Sequence, residues 1–537
     1  MSAVVAPAAA ARRPGSRQLA GTWALLRLAL RRDRLLIPLW VLVVGGTVGG
    51  GSGALKSLYP TPRDRADLVH QMAANGSLRS LYGPLLSDSA GGLVVWRYGV
   101  YGAALVGVMS LLIVVRHTRD EEESGRQEML SAAMVGRRAP LTAALLAALV
   151  ADAGIAVVVT LGLAAEGRSG ALALGLGMGL TGLLFAAVAG ITAQLTESAR
   201  LARGLTTALI GLAFVLRAAG DAGSADGSSA LTWASPIGWA ENLRPYAGER
   251  WWVLLPFAAV IAVVTAVSYV LTGRRDIGMS FLPARPGPRE GRLATAGALA
   301  LRLQRGALAG WGAGFLLGGI VLGGVTDGAS DFVGDSEQVA EVFRRLGGQD
   351  GIEHAFLSAM VGVFGMVAVL FTVGSVLRLH GEETSGRAEP LLAGPVGRVR
   401  WAAGHLVVAY GGAVAILLLS GAGLALGYGG DLGPLLGASL VQVPAVWALT
   451  SVVLLLYGAA PRVAPAGWAL AGLCLALGWL GPALDLPQAV LDLSPFGHLP
   501  KLPGPGMRWT PVVVLLALTA AAGTAGLTAL RRRDLTS

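Results

Sequence analysis

The residues whose types and spacing could do chemistry are acids and arginines, and they come as two copies of one segment. Residues 121–137 read EEESGRQEMLSAAMVGR and residues 382–398 read EETSGRAEPLLAGPVGR; at a shift of 261 residues, 11 of 17 positions are identical. Glu121, Glu122, Gly125, Arg126, Glu128 and Arg137 are answered by Glu382, Glu383, Gly386, Arg387, Glu389 and Arg398. Such density of charge suits recognition of another protein surface. Bond-making constellations do not appear. The six histidines (His70, His117, His354, His380, His405, His498) are scattered, with no His-x-x-x-His and no paired carboxylate nearby. His117 and His380 flank the charged segments and read as interface histidines without a special role. No Gly-x-Ser-x-Gly lies at a strand-to-helix turn, and the single Cys474 excludes an intrachain disulfide and a Cys-based metal cluster. No catalytic residue and no metal site are therefore expected. A Walker A motif is also missing: Lys501 is followed by Leu502, and Lys56-Ser57 is preceded by Leu55 where the motif needs Gly.

The elements that position these segments are membrane spans. Hydrophobic residues make up 54% of the chain and charged ones 14%, with a mean hydropathy of +0.63, which excludes an ordinary soluble domain. The net charge of +10 does not point to nucleic acid, because the arginines are dispersed at membrane edges. About 20 apolar residues cross a bilayer core. Twelve runs are long enough to be candidates: 36–52, 98–115, 140–164, 171–193, 204–219, 252–272, 307–325, 358–377, 402–428, 432–457, 465–482 and 511–530. Backbone polar groups must be satisfied within lipid, so these are helices, and the expected class is an all-α integral membrane protein. Both termini inside places roughly 29 of the basic residues on one side, as the positive-inside rule asks. The expected localisation is a multi-pass protein of the cell membrane with cytoplasmic termini.

The duplication extends well beyond the charged segment. Ser235-Pro236-Ile237-Gly238 is echoed by Ser494-Pro495-Phe496-Gly497, and Arg274-Arg275-Asp276 by Arg532-Arg533-Asp534. Each half therefore carries six spans in one order. Six crossings return the chain to its starting side, so the halves are parallel repeats, related by a pseudo-twofold axis along the membrane normal. The expected organisation is a tail and interfacial helix (1–35), a first half (36–276), a linker and interfacial segment (277–306) and a second half (307–537). Residues 1–17 read as a disordered tail. Helices are also expected outside the membrane at Arg63–Ala74 and Ser336–Leu346.

Each charged segment follows the second span of its half. Ser124-x-x-Gln127 has the form of a capping box and Gly136 that of a helix stop, which predicts a helix over about 125–135 with Met129, Leu130 and Ala133 on its apolar side. Arginines there serve topology. Asp120, Glu121, Glu122 and Glu123 do not, so the segments read as docking elements for a soluble partner. The pattern Glu-x-x-x-Gly-Arg-x-Glu-x-Leu, present as Glu121, Gly125, Arg126, Glu128, Leu130 and again as Glu382, Gly386, Arg387, Glu389, Leu391, resembles the corresponding loop of ABC-2-type permeases. The tandem form is similar to twelve-span exporters of polyketide antibiotics. That resemblance implies that the loops are coupling helices contacting an ATPase. It implies a homodimeric ABC ATPase partner, two copies per permease chain, holding the ATP-Mg that this chain does not bind, and a small lipophilic substrate. It also implies an interfacial helix before the first span; Trp23–Arg34 has Arg27, Arg31 and Arg34 on one stripe, but Arg32 interrupts the opposite apolar face. A proton-driven secondary transporter of the major facilitator kind shares the twelve spans and inside termini, although its loop after span two is short and Asp-Arg-rich.

Three further features stand out. Asp152 lies near mid-depth of the third span, where a carboxylate costs about 2.5–3.5 kcal/mol; it belongs either on a substrate path or at a hydrogen-bonded packing site. Ser235, Pro236 and Gly238, with Ser494, Pro495 and Gly497, read either as external gate-forming turns or as ordinary ones. Gly175-x-x-x-Gly179 and Gly423-x-x-x-Gly427 read as close helix contacts.

Overall fold

The computed structural model describes residues 18–132, 135–276, 278–282, 295–326, 352–480, 487–504 and 506–534. These residues are helical with no strand among them, as expected of an all-α integral membrane protein. The chain divides into two compact units, Met1–Pro286 and Gly287–Ser537. The expected tail (1–17), most of the linker, the helix at Ser336–Leu346 and position 133 lie outside the described residues.

In the first unit, six helices are long and apolar enough to cross a membrane: span 1 (Leu36–Leu58), span 2 (Ala90–Glu123), span 3 (Ala139–Gly162), span 4 (Arg168–Leu195), span 5 (Ala199–Ala222) and span 6 (Trp251–Arg274). Span 4 sits at the centre, packed against spans 2, 3, 5 and 6. The outer faces of spans 1, 5 and 6 expose Leu42, Leu209 and Leu255, as a lipid-facing surface should. Span 2 begins eight residues earlier than its apolar run suggests and carries a π-helical turn at Val95–Gly99. The interfacial helix forms at Thr22–Arg32 with Leu26 and Ala29 buried. The expected outer helix forms at Pro62–Ala74, where Thr61 and Asp64 make a capping box.

Among its described residues the second unit has five such helices: span 7 (Ala296–Val325), span 8 (Glu353–Thr384), span 9 (Arg398–Tyr428), span 10 (Leu432–Ala459) and the last span (Trp509–Arg532). The eleventh apolar run is helical over Ala466–Leu480, at which point the described residues stop; those 15 residues rise about 22 Å of a roughly 30 Å core. Its predicted end at 481–482 lies outside the described residues. Span 7 is continuous with the segment before it, so no break separates an interfacial piece at residue 306. Spans 7 and 9 pack through small residues. Gly319 approaches the carbonyl of Ser420, and a methyl placed on Gly423 or Gly427 would overlap the carbonyl oxygens of Leu316 and Ile320. In the first unit, Gly175 lies equally close to Ala156 on span 3. Both predicted small-residue motifs are thus helix contacts.

Candidate functional site

The two charged loops fold around the same turn. Gly125 and Gly386 both take the left-handed conformation, with φ of 72° and 71°. That backbone ends a helix readily only where there is no Cβ. In each copy the glycine N–H donates to the carbonyl three residues back, Glu122 or Glu383, at 3.0 Å. The N–H of Glu128 or Glu389 then donates to the glycine carbonyl at 3.3 Å. After the turn the first copy forms the helix Arg126–Ala132 and the second, with Pro390 in its first turn, only Glu389–Leu392. The predicted capping box does not form: the Ser124 hydroxyl donates back to the carbonyl of Glu121, and the helix starts after Gly125.

Glu121, Glu122, Glu382 and Glu383, read from the sequence as docking contacts, point into their own units. Glu122 makes a two-pronged pair with Arg275, at 2.6 and 2.8 Å, at the end of span 6, and also pairs with Arg119. The second unit repeats this with Glu383 and Arg533, at 2.6 Å for both bonds, and adds the Tyr457 hydroxyl at 2.5 Å. The carboxylate holds the Arg533 guanidinium above its usual range. Arg275 is oriented by Gln194 at 2.8 Å; Arg533 lies 4.9 Å from the ring of Tyr457. Arg137 donates to the carbonyls of Thr272 and Arg275, and Arg398 to that of Arg533. Each loop is therefore clamped at both ends to the end of the sixth helix of its half. Glu121 binds Arg126, at 2.8 and 3.1 Å, and Arg32; Glu382 binds Arg378 at 3.0 Å, with His405 at 3.7 Å.

The other loop acids are also engaged. Glu123 accepts the N–H of Ala199 at 2.9 Å at the start of span 5, and Asp120 pairs with Arg203. Arg32, which interrupts the apolar face of the interfacial helix, does so to reach Glu121. The buried Asp33 beside it binds Arg116 at 2.9 Å and His117 at 2.6 Å, so His117 anchors that helix to span 2. What the loops leave exposed are their tips: Arg126, Glu128 and Met129 in one copy, Arg387, Glu389 and Pro390 in the other.

Asp152 is 1% exposed and accepts a hydrogen bond from Ser110 of span 2 at 2.7 Å, in space left by Gly182 of span 4. This is a packed junction of three helices. Asp152→Asn, which can keep the Ser110 bond, is expected to leave both the melting temperature and the transport rate near wild type; a selective loss of transport in that variant would instead place it on the substrate path.

The Ser-Pro-x-Gly sequences start helices rather than break them. Ser235 caps Pro236–Asn242, accepting from the N–H groups of Ile237 and Gly238 while its hydroxyl donates to Ala213 at 2.7 Å. Pro at the first helical position is compatible with this, since its missing N–H would have been unpaired. In the second unit, buried Ser494 precedes a short turn over Pro495–His498, with Gly497 inside it.

One cluster escaped the sequence reading. Arg217 and Asp221, one turn apart on span 5, are fully buried 3.3 Å apart, with Glu241 of the Pro236–Asn242 helix 3.6 Å from Arg217. Its signal was present: two opposite charges four residues apart in an apolar run. Arg275 and Arg533 were visible as repeated residues, but not as partners of Glu122 and Glu383.

Comparison with known proteins fits this architecture. Residues 293–531 match the family described as multidrug efflux system permease Rv1217c, C-terminal domain. The multidrug efflux system permease protein Rv1217c of Mycobacterium tuberculosis (strain ATCC 25618 / H37Rv) is 42% identical over 528 residues, covering 96% of this chain and 95% of that protein. With that identity running through both halves, the chain belongs to the Rv1217c family of efflux permeases.

Proposed function

We propose that the chain is the membrane-spanning subunit of an ATP-driven exporter of the ABC-2 type, in the twelve-span tandem form, and that it extrudes small lipophilic, drug-like molecules. The observation that carries this reading is the loop built twice on one plan, with the same glycine turn and the same carboxylate–arginine clamp to the end of the sixth helix. The "multidrug efflux" in the name of the Mycobacterium relative supports the substrate class. In this reading the termini and loops face the cytoplasm of a cell-membrane protein. A homodimeric ATPase engages both loops, and each of its nucleotide sites holds ATP-Mg, for which this chain has no Walker motif. When the ATPases close, the loop tips are displaced. Glu122 and Arg137 carry that displacement into span 6 through Arg275, and Glu383 and Arg398 carry it into the last span through Arg533.

The docking surface is then the exposed tips and not the buried acids. Glu128→Lys combined with Glu389→Lys reverses charge at both tips. Recovery of a Walker-containing ATPase with the purified permease is expected to fall about tenfold, with the permease still monodisperse. Undiminished recovery would remove the tips from the interface. Transport driven by a proton gradient in vesicles holding this chain alone would overturn the ATP-driven reading altogether.

A further inference from the structure

The helix Thr22–Arg32 ends just before span 1 starts at Leu36, which holds it at the membrane surface. Leu26 and Ala29 are buried, and the helix packs against span 3. The side turned away from the protein is cationic. Arg27, Arg31 and Arg34 are exposed there, and among the described residues none of the three is in an ion pair. Residues four apart share a helix face, so Trp23, 68% exposed, stands one turn before Arg27 on the same stripe. The acids that meet this helix are already committed. Asp33 is buried with Arg116 and His117, and Glu121 holds Arg32 and Arg126.

What borders the arginines decides between kinds of anion. Leu28 and Leu35 are exposed beside them and lead to Leu39 and Leu42, on the lipid-facing side of span 1. A nucleic acid or an acidic protein would meet the charges and leave the leucines uncovered. A phospholipid covers both, its chains on the leucines and its phosphate on the guanidinium groups. Guanidinium binds phosphate with paired hydrogen bonds, and tryptophan is favoured at headgroup level. Helices with basic residues on one face and leucine or tryptophan on another draw anionic lipid in this way.

We propose that the stripe Trp23, Arg27, Arg31 and Arg34 binds anionic phospholipid, and that the bound lipid steadies the charged loop of the first unit. The second half of the proposal follows from how the helix is attached. At the near end of the loop Arg32 pairs with Glu121, and Asp33 binds Arg116 at 2.9 Å and His117 at 2.6 Å. At the far end the N–H of Gly136 donates to the carbonyl of Ala20, just before the helix, at 2.9 Å. A lipid that fixes the helix in the headgroup layer therefore fixes both ends of the loop. The site belongs to one half: at the offset that pairs Arg31 with Arg302 and Arg34 with Arg305, Trp23 and Arg27 correspond to Ala294 and Ala298. Neither the binding nor the steadying needs an ATPase, so the proposal goes beyond the export reading and does not depend on it.

Phosphatidylglycerol and phosphatidylcholine with the same acyl chains differ in net charge. Titrated into the purified full-length chain in detergent and counted by native mass spectrometry, the first phosphatidylglycerol should bind at least about tenfold more tightly. The preference should shrink as salt rises. Arg27→Gln combined with Arg31→Gln should lose about tenfold in phosphatidylglycerol affinity; both side chains are exposed, so the protein should still fold. Arg302→Gln combined with Arg305→Gln removes the same charge from the second unit and should cost less than about twofold. In nanodiscs, amide hydrogen exchange over Arg126–Ala132 should slow when phosphatidylglycerol replaces phosphatidylcholine, and should not respond in the Arg27→Gln, Arg31→Gln protein. Equal affinity for the two lipids, equal losses in the two double variants, or displacement of the lipid by inorganic phosphate overturns the lipid site. Loop exchange that ignores the lipid overturns the steadying. Because no ATPase takes part, each of these results leaves the ATP-driven reading standing, and a failed ATPase co-purification leaves this site standing.

Discussion

Arg533→Ala is expected to destabilise the second unit by about 3–5 kcal/mol, the usual cost of removing one member of a buried ion pair. Glu383 is 2% exposed in its side chain and Arg533 13%, so little solvent screens the pair. Truncation strips Glu383 of its two-pronged guanidinium partner, leaving the Tyr457 hydroxyl bond in place, and Arg398 loses the carbonyl geometry it grips. Arg275→Ala should do the same to the first unit, moderated by Arg119, which still reaches Glu122. Arg532→Ala, one residue away and exposed, is the control and should stay within about 0.5 kcal/mol. Denaturant titration of the solubilised protein measures all three. A second readout separates positioning from stability. In the reconstituted complex, Arg533→Lys keeps the charge but not the two-pronged geometry, so it should fold yet uncouple ATP hydrolysis from transport. Equal coupling in that variant would show that the pair holds the fold and transmits nothing.

Gly427→Leu should be the most disruptive single change in the span 7–span 9 contact. Without a Cβ, Gly423 and Gly427 let the helices approach until backbone meets backbone, and a methyl at Gly427 already overlaps the carbonyl oxygen of Ile320. Overpacking of this kind costs about 1–3 kcal/mol, and leucine, larger than the methyl that already clashes, belongs at the upper end or beyond. Gly411 lies on the same helix with nothing within 4 Å of its would-be Cβ, so Gly411→Ala should be neutral or stabilising by up to about 1 kcal/mol. Melting curves followed by size-exclusion chromatography distinguish the two. If both glycines tolerate substitution alike, close approach is not what holds these spans together.

Much of the fold was legible because a bilayer allows few answers. Among the described residues, eleven of the twelve apolar runs are helices long enough to span, most of them longer at their ends than the hydropathy alone suggests. Span 2 is the clearest case: after a turn at His117–Thr118 the chain is helical again over Arg119–Glu123, where Arg119, Glu121 and Glu122 find partners within the unit. The remaining run is helical over Ala466–Leu480, the part of it that is described. The glycine of the loop turn was legible as a repeated residue, and its left-handed backbone explains the repetition.

The loop acids show where reading along the chain fails. Asp120 to Glu123 looked available because nothing nearby in sequence required them. Their partners are Arg203, Arg32, Arg275 and the N-terminus of span 5, with Glu122 and Arg275 separated by 153 residues. Local pattern carries no sign of that pairing. Arg32 was visible as a fault in an amphipathic helix, and the fault is the contact itself.

By itself, the sequence determined the class of protein, the order of its spans and the duplication of its charged loops. Those properties follow from apolar length, charge asymmetry and repeated residues, which are written locally along the chain. Only the tertiary structure decided which charges are committed within a unit, which remain at the loop tips, and that Arg217, Asp221 and Glu241 gather in one buried cluster. The physical reason is that the strength of a charge's interactions depends on its burial and on the charges a few ångströms away, whatever their distance in sequence.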